Sequence, residues 1–422
     1  MKNKLFCSYD IPLVLIYSLR LFYPYRPMLD DYIQYHVYSL HANPIRDIFF
    51  GIGLFAARPA ASFLDITLWS RFWEHLWILY ALFSLLYLVS LCALRFSLLR
   101  CGVHLGSVFM YFTALCPLNI EGTMWLSAST RIVGGLCASV AAISLISEKN
   151  SLLNKIAFVI LCFLSYCFYE QTAVFCFVTV CFVSFAKRRP FYAMAAVVNL
   201  CFLAAWYLCF SRFSVFGFRA AVTAENIFSF PFRLARCTAA AACTFTDCAW
   251  IMYLLPLPFA ALWLCGFDKP CADRLKFWYG AAVSLASFAP LVLSGGNVPF
   301  RCLIVPLIGL FVLLDCIGGS MRRIFLCTVC SVFIIVSANE FCSYYQATVL
   351  DEKFLDGLCE RITNGGEYDL SSAPLYYSDS PSNHAEHIAA VTSSDWALTG
   401  AVRARLDDVD FPLIKVRQSG SF

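Results

Sequence analysis

Long apolar runs separated by short polar intervals recur from the start of the chain to about residue 342. The first, Leu5 to Tyr23, is flanked by Lys2 and Lys4 and has no small-residue cleavage site, which reads as a retained anchor rather than a signal peptide. Pro24 and Pro27 end it. Further runs at roughly 75–95, 102–118, 125–147, 155–168, 171–187, 191–211, 249–266, 277–294, 302–319 and 323–342 bring the expected helical spans to about eleven. Tyr32, Tyr35, Val37, Tyr38 and Leu40 suggest a further helix lying along the membrane interface.

Composition and charge make this a membrane pattern. Hydrophobic residues are 60% of the chain and charged ones 14%, with a mean hydropathy of +0.72, far from the averages of soluble domains. The net charge of +4 carries no nucleic-acid signal, because the basic residues sit in short loops. Fourteen of them (Lys2, Lys4, Arg95, Arg100, Lys149, Lys155, Lys187, Arg188, Arg189, Lys269, Arg274, Lys276, Arg322 and Arg323) fall on one side of the expected bilayer. The short loops 118–125, 168–171 and 295–301 on the other side carry only Arg301. The positive-inside rule then places the N-terminus in the cytoplasm and residues 26–74 outside.

Most of the 22 cysteines lie within apolar runs, where Cys acts as a small hydrophobe. Cys237, Cys243 and Cys248 share the loop 212–248 and could form a bridge if that loop faces an oxidising compartment. The absence of any Asn-x-Ser/Thr sequon favours a bacterial origin, hence a multi-pass protein of a bacterial cytoplasmic membrane. After residue 342 the character changes: residues 343–422 hold twelve acidic against six basic residues, with turn clusters and an alternating Pro412-Leu-Ile-Lys-Val-Arg that suggests a closing strand. The expected organisation is an all-α polytopic membrane domain over 1–342, with outer loops 26–74 and 212–248, and a small soluble α/β domain over 343–422 on the outer side.

The strong polar candidates converge on that outer face. Asp30 and Asp31 follow the first span, Arg58 lies in the same loop, Glu121 precedes Trp125, Tyr169-Glu170-Gln171 tops a short hairpin, and Arg301 opens a late span. Each hairpin arm of about 15 residues reaches only about 22 Å of a core of roughly 30 Å, so its tip lies below the surface. A carboxylate there is costly unless it is paired or functional. Plainer readings exist: the Asp pair as a solvated turn or helix cap, Arg58 and Arg301 as interfacial anchors, Arg131 as the ion-pair partner of Glu121, and His36 and His41 as structural rather than metal-ligating residues.

Asp30-Asp31-Tyr32 after the first span, Ala57-Arg58-Pro59-Ala60 later in its loop, Glu121-Gly-Thr-Met-Trp125, Tyr169-Glu-Gln171 and Pro299-Phe-Arg301-Cys-Leu-Ile-Val-Pro306 together resemble the GT-C superfamily of integral-membrane glycosyltransferases. The bacterial O-antigen glucosyltransferase type is the most similar, although Ala56-Ala57 stands where an aromatic residue or Gly often precedes the Arg-Pro pair. The resemblance implies inverting transfer of a sugar from a polyprenyl-phosphate donor to a glycan acceptor on the outer face. Asp30 or Asp31 would be the base, Arg58 and Arg301 would hold the donor phosphate, and Tyr32, Glu121, Trp125, Tyr169, Glu170 and Gln171 would bind sugar. No cofactor is expected, although two adjacent carboxylates could hold a divalent metal. The alternatives are a ligase or polymerase of lipid-linked glycans, suggested by Arg212, Arg219, Arg233 and Arg236, and a transporter or flippase. The expected topology is checked by a reporter fused after Phe422, which should be active only outside the cytoplasm.

Overall fold

The structure, a computed structural model, describes residues 10–39, 58–148, 151–210, 223–245, 274–295, 298–316, 322–365, 370–371, 373–377 and 389–416. His41, Arg212, Arg219, Cys248, His384, His387 and the expected span 249–266 lie outside these residues. The described elements are helices. They begin with α1 (Asp10–Ser18), extended by a 3-10 turn (Leu19–Phe22), then α2 (Asp30–Ile33), continued by a wider π-type turn (Gln34–Ser39). Where the sequence suggests a helix, the structure has a short α segment that loosens into a π turn. α3 (Pro59–Phe72) follows in the first loop. Next come α4 (Leu76–Leu99), α5 (Ser107–Leu115), α6 (Ile120–Met124), α7 (Leu126–Ile146), α8 (Leu152–Tyr166), α9 (Glu170–Ala186) and α10 (Pro190–Phe210). The chain continues with α11 (Ala224–Cys243), α12 (Arg274–Ala286), α13 (Ala289–Ser294), α14 (Ile304–Leu314), α15 (Arg322–Thr363) and α16 (Asp395–Leu406).

Among the described residues, four segments are long and apolar enough to cross a membrane: Trp73–Leu99, Leu126–Ile146, Arg274–Val292 and Phe325–Thr363. Among the same residues, four shorter apolar helices, Leu152–Tyr166, Glu170–Ala186, Pro190–Trp206 and Phe300–Leu314, pack with them or with one another. Exposed leucines and phenylalanines are expected here, because lipid tails are as apolar as the core. On α1 and its 3-10 turn, Ile11, Leu15, Leu19 and Phe22 form an exposed stripe at helical spacing, while Leu13 and Tyr17 are buried opposite.

At the centre, α7 is packed by α4, α8 and α9. Its small residues allow this: a Cβ at Gly135 would lie 2.2 Å from Thr172 Oγ1, and one at Gly134 would lie 2.8 Å from the Phe168 ring. α12 and α14 approach still more closely, with a Cβ at Gly309 falling 2.5 Å from the Ser284 backbone nitrogen and 2.6 Å from the Gly280 carbonyl.

Ion pairs gather at the two ends of the bundle. One end holds Asp10–Arg95 (3.0 Å), Arg100–Glu148, and Lys276–Asp315 (2.5 Å). Lys187 and Arg189 donate to the Arg100 and Ile146 carbonyls at that same end. The other end holds Arg58–Glu170, Arg131–Asp65 and Arg301–Glu121.

Three expectations are corrected. Arg131 pairs with Asp65 rather than Glu121, because Asp65 on α3 packs directly against α7. Cys237 and Cys243 are free thiols buried on α11, a helix within the loop 212–248. No strand occurs among the described residues of 343–422; an isolated Tyr376–Ala389 bridge is the nearest approach. The alternating stretch near Pro412 is neither helix nor strand, and its amides bond to side chains: Ile414 N to Thr399 Oγ1 (2.9 Å) and Val416 N to Asp395 Oδ1 (2.8 Å).

α15 does not stop at residue 342. Its 42 residues run about 63 Å, roughly twice the hydrocarbon thickness. The surplus carries the C-terminal segment back onto the loop after α1: Arg26 pairs with Glu352, Arg403 donates to the His36 carbonyl (3.2 Å), and Gly400 of α16 lies against the Tyr32 carbonyl. Packing at the α12–α14 crossing gives a prediction. Gly309→Ala should destabilise the protein by about 1–3 kcal/mol, seen as a lower unfolding temperature in detergent. Gly357→Ala, where a Cβ meets nothing within 4 Å, should be neutral or slightly stabilising.

Candidate functional site

The backbone turns sharply at Leu29, whose φ of 42° is a left-handed value that a branched residue adopts only under constraint. That turn launches α2 with Asp30 and Asp31 in its first turn. Successive helical residues point about 100° apart, so the two carboxylates diverge. Asp31 is fully buried, whereas Asp30 is half-buried.

Asp31 accepts from three donors: Tyr25 Oη at 2.5 Å and Met28 N at 3.1 Å on Oδ2, and Ser127 N at 3.1 Å on Oδ1. Tyr25 Oη in turn accepts from Leu126 N at 3.0 Å. Asp31 therefore caps the start of α7, a helix some hundred residues downstream, where orphan N–H groups and the positive end of the helix dipole favour a carboxylate. Burial nonetheless dominates and pushes its pKa from 3.8 to about 8; the three hydrogen bonds lower it and the nearby Asp30 raises it.

The remaining candidates form a continuous string. Arg58 is the residue before α3, and Pro59 opens that helix, where its missing N–H has no helical partner to lose. Ala60 N bonds the Cys167 carbonyl (3.1 Å), fixing α3 to the α8–α9 turn. There Arg58 grips Glu170 through two contacts of 2.9 Å and lies 4.5 Å from the centroid of the Tyr169 ring. The Tyr169 hydroxyl meets Cys302 Sγ at 3.1 Å, next to Arg301. Arg301 donates to Glu121 (2.9 Å) and stands 5.4 Å from the Trp125 ring, directly before Leu126 and Ser127. Gly122 makes this approach possible, since a Cβ there would collide with the Ile304 side chain and come within 3.4 Å of the Arg301 Cα.

The structure thus brings together Asp31, Arg58, Glu121, Trp125, Tyr169, Glu170 and Arg301, with Asp30 adjoining. Gln171 is buried in the first turn of α9, its Nε2 without an acceptor among the described residues. Tyr32 points elsewhere: it is buried edge-on to Trp73 at 5.8 Å and beneath α16. Sequence reading passed over Tyr25 and the buried cluster of Asp65, Arg131 (2.8 Å) and Thr130, into which Gln34 fits with its amide oxygen toward Arg131. An acid inside the apolar Phe63-Leu-Asp-Ile run was the available signal.

No group of three or more His, Cys, Asp or Glu side chains arranged to hold a metal occurs among the described residues. Compared with protein-family profiles, with curated proteins and with solved structures, the chain matches none.

The Asp31 environment fixes a pH dependence. A carboxyl with a raised folded pKa loses its proton first in the unfolded chain, so stability is greatest below about pH 4 and falls as pH rises toward about 8. The slope from this group is at most about 1.4 kcal/mol per pH unit. Asp31→Asn should flatten that part of the profile in denaturation across pH 4–8, while Asp30→Asn should leave it in place.

Proposed function

We propose that this helical membrane protein is an inverting glycosyltransferase that moves a sugar from a polyprenyl-phosphate donor to a glycan acceptor such as O-antigen or another surface polysaccharide. The reading includes about eleven crossings, a cytoplasmic N-terminus and a C-terminal module on the outer side of a bacterial cytoplasmic membrane. The observation that carries it is the string of carboxylates, arginines and aromatic faces running from Arg58 to Asp31 at one end of the bundle.

In the proposed reaction the acceptor hydroxyl oxygen attacks the anomeric carbon from the face opposite the phosphate. The carbon–oxygen bond to phosphate breaks, and polyprenyl phosphate departs with the bonding pair. The hydroxyl proton passes to a carboxylate as the new bond forms. Asp30 is better placed than Asp31 to receive it, since Asp31 is fully buried and engaged by three donors. Arg301 and Arg58 supply guanidinium charge for the leaving phosphate, for which the planar fork is well shaped. In the resting arrangement each is held by a glutamate, which keeps the cation oriented and also means that donor binding must share or displace that pair. Trp125 and Tyr169 offer ring faces for a sugar.

The ligase or polymerase alternative draws less support. It needs the arginines of 212–248 for phosphate, and Arg233 is bonded to the carbonyls of Leu291 and Asn226.

The test incubates purified protein in lipid with a panel of polyprenyl-phosphate sugars and an acceptor glycan, and measures released polyprenyl phosphate. Asp30→Asn should reduce release by about 10²–10⁴-fold at unchanged membrane abundance, and Arg301→Lys should be impaired. Wild-type release in Asp30→Asn would remove it as the base. No release with any donor from folded protein would overturn the transferase reading.

A further inference from the structure

Beside the string of ion pairs lies a cleft of about 370 Å³ between the end of α1, the α5–α6 connection and α15. Its walls are apolar, with Ile16, Leu19, Phe22, Leu115, Ile334 and Phe341 among them. Several of these also belong to lipid-facing surface: Leu19, Phe22 and Ile334 are among the exposed large hydrophobics. The cleft therefore opens sideways to the bilayer.

One strong charge lines it, Arg20. An arginine in the last turn of a membrane helix ordinarily snorkels its head toward water. Arg20 instead turns inward, donating to Tyr17 Oη (3.1 Å) and to the fully buried Thr123 Oγ1 (2.8 Å), with Phe341 under its guanidinium at 5.4 Å. Both acceptors are neutral. Among the described residues Arg20 forms no ion pair, and its buried Nε has no acceptor. The buried Tyr23 hydroxyl, on the same wall, likewise has no partner. A cation held in an apolar cleft with two unanswered donors lacks an anion.

We infer that this cleft binds a lipid phosphate, with the phosphate on Arg20 and Tyr23 and the hydrocarbon chain lying between α1 and α15. The charge requires an anion, the apolar walls require a chain attached to it, and the lateral opening admits such a molecule from the bilayer. A phosphate on Arg20 would lie next to the site already described. Thr123 belongs to the same short helix as Glu121, and Tyr80, which donates to the Arg20 carbonyl (2.9 Å), stacks on Tyr25, the partner of Asp31. The inference concerns binding alone and stands or falls without sugar transfer.

The test uses the full chain in detergent micelles, with ligand-induced thermal shift and native mass spectrometry as readouts. The probes are a long-chain polyprenyl monophosphate, phosphatidylglycerol, and the uncharged polyprenol. Wild-type protein should be shifted by the polyprenyl monophosphate and at least 10-fold less sensitively by polyprenol. Arg20→Gln should lose the difference. Ala338→Trp, which fills the mouth from the lipid side while leaving Arg20 intact, should weaken binding of the phosphate lipid and thus covers the case in which the Arg20 variant misfolds. Preference for polyprenyl phosphate over phosphatidylglycerol would identify a carrier lipid as the ligand; equal response to both, lost in Arg20→Gln, would identify a bilayer phospholipid at the same site. Equal binding of polyprenol, or undiminished binding by folded Arg20→Gln or Ala338→Trp, would overturn the inference.

Discussion

A carboxyl group withdrawn from water organises this molecule. Asp31 follows the first helix closely, yet its hydrogen-bond partners include the first turn of α7. Leaving a buried carboxylate or an orphan helical N–H without a partner costs on the order of 1–3 kcal/mol or more each, and this contact removes both costs at once. It therefore sets where the loop after α1 lies against the bundle. From that point the geometry propagates outward: α7 sits at the centre because Gly134 and Gly135 admit the α8–α9 turn, and α2, fixed by Asp31, becomes the surface on which α16 rests through Gly400.

The same low dielectric explains the distribution of charge. Several acids and bases that enter the bundle are found as pairs, Asp10 with Arg95, Asp65 with Arg131, Glu121 with Arg301, Lys276 with Asp315. Such pairs add little net stability compared with apolar packing, but breaking one leaves an uncompensated charge and is expensive. They therefore fix register rather than strength, joining elements far apart in sequence at the two ends of the bundle. Against this background Arg20, which among the described residues meets hydroxyls and ring faces but no carboxylate, stands out.

Much of the helical plan was legible because lipid-facing and buried faces are both apolar, so runs of hydrophobic residues report spans directly. Apolarity does not report where a helix breaks or how far it continues. α15 carries Asp351 and Glu352 in the same helix as the apolar Phe325 run, and a hydropathy boundary near 342 was mistaken for a structural one. The expected strand near Pro412 failed for a related reason: alternation does not supply the ladder partner that makes a strand, and the amides there bond to side chains instead. At the candidate site, residue types and their shared end were readable from loop position. Pairing was not, because the choice of Asp65 over Glu121 for Arg131 depends on how α3 packs on α7, a contact no local pattern encodes.

The adjacent aspartates show how a fold divides two identical groups. Both plainer and functional readings of the pair were open in the sequence, and the structure separates the two residues by burial and partners. Asp31 takes the capping role, although for a helix remote in sequence rather than the next one, and its environment pushes its pKa up to about 8. Asp30, one residue earlier on the same helical turn, remains half-buried. Because the rotation between neighbours is fixed by the helix, seating Asp31 against α7 determines the direction in which Asp30 faces. The strained turn at Leu29 is what brings α2 in at that angle. One carboxyl is thus sealed among backbone and tyrosine donors, while its neighbour is turned away from them. The buried aspartate holds the frame, and seating it leaves its half-buried neighbour on another side of the helix.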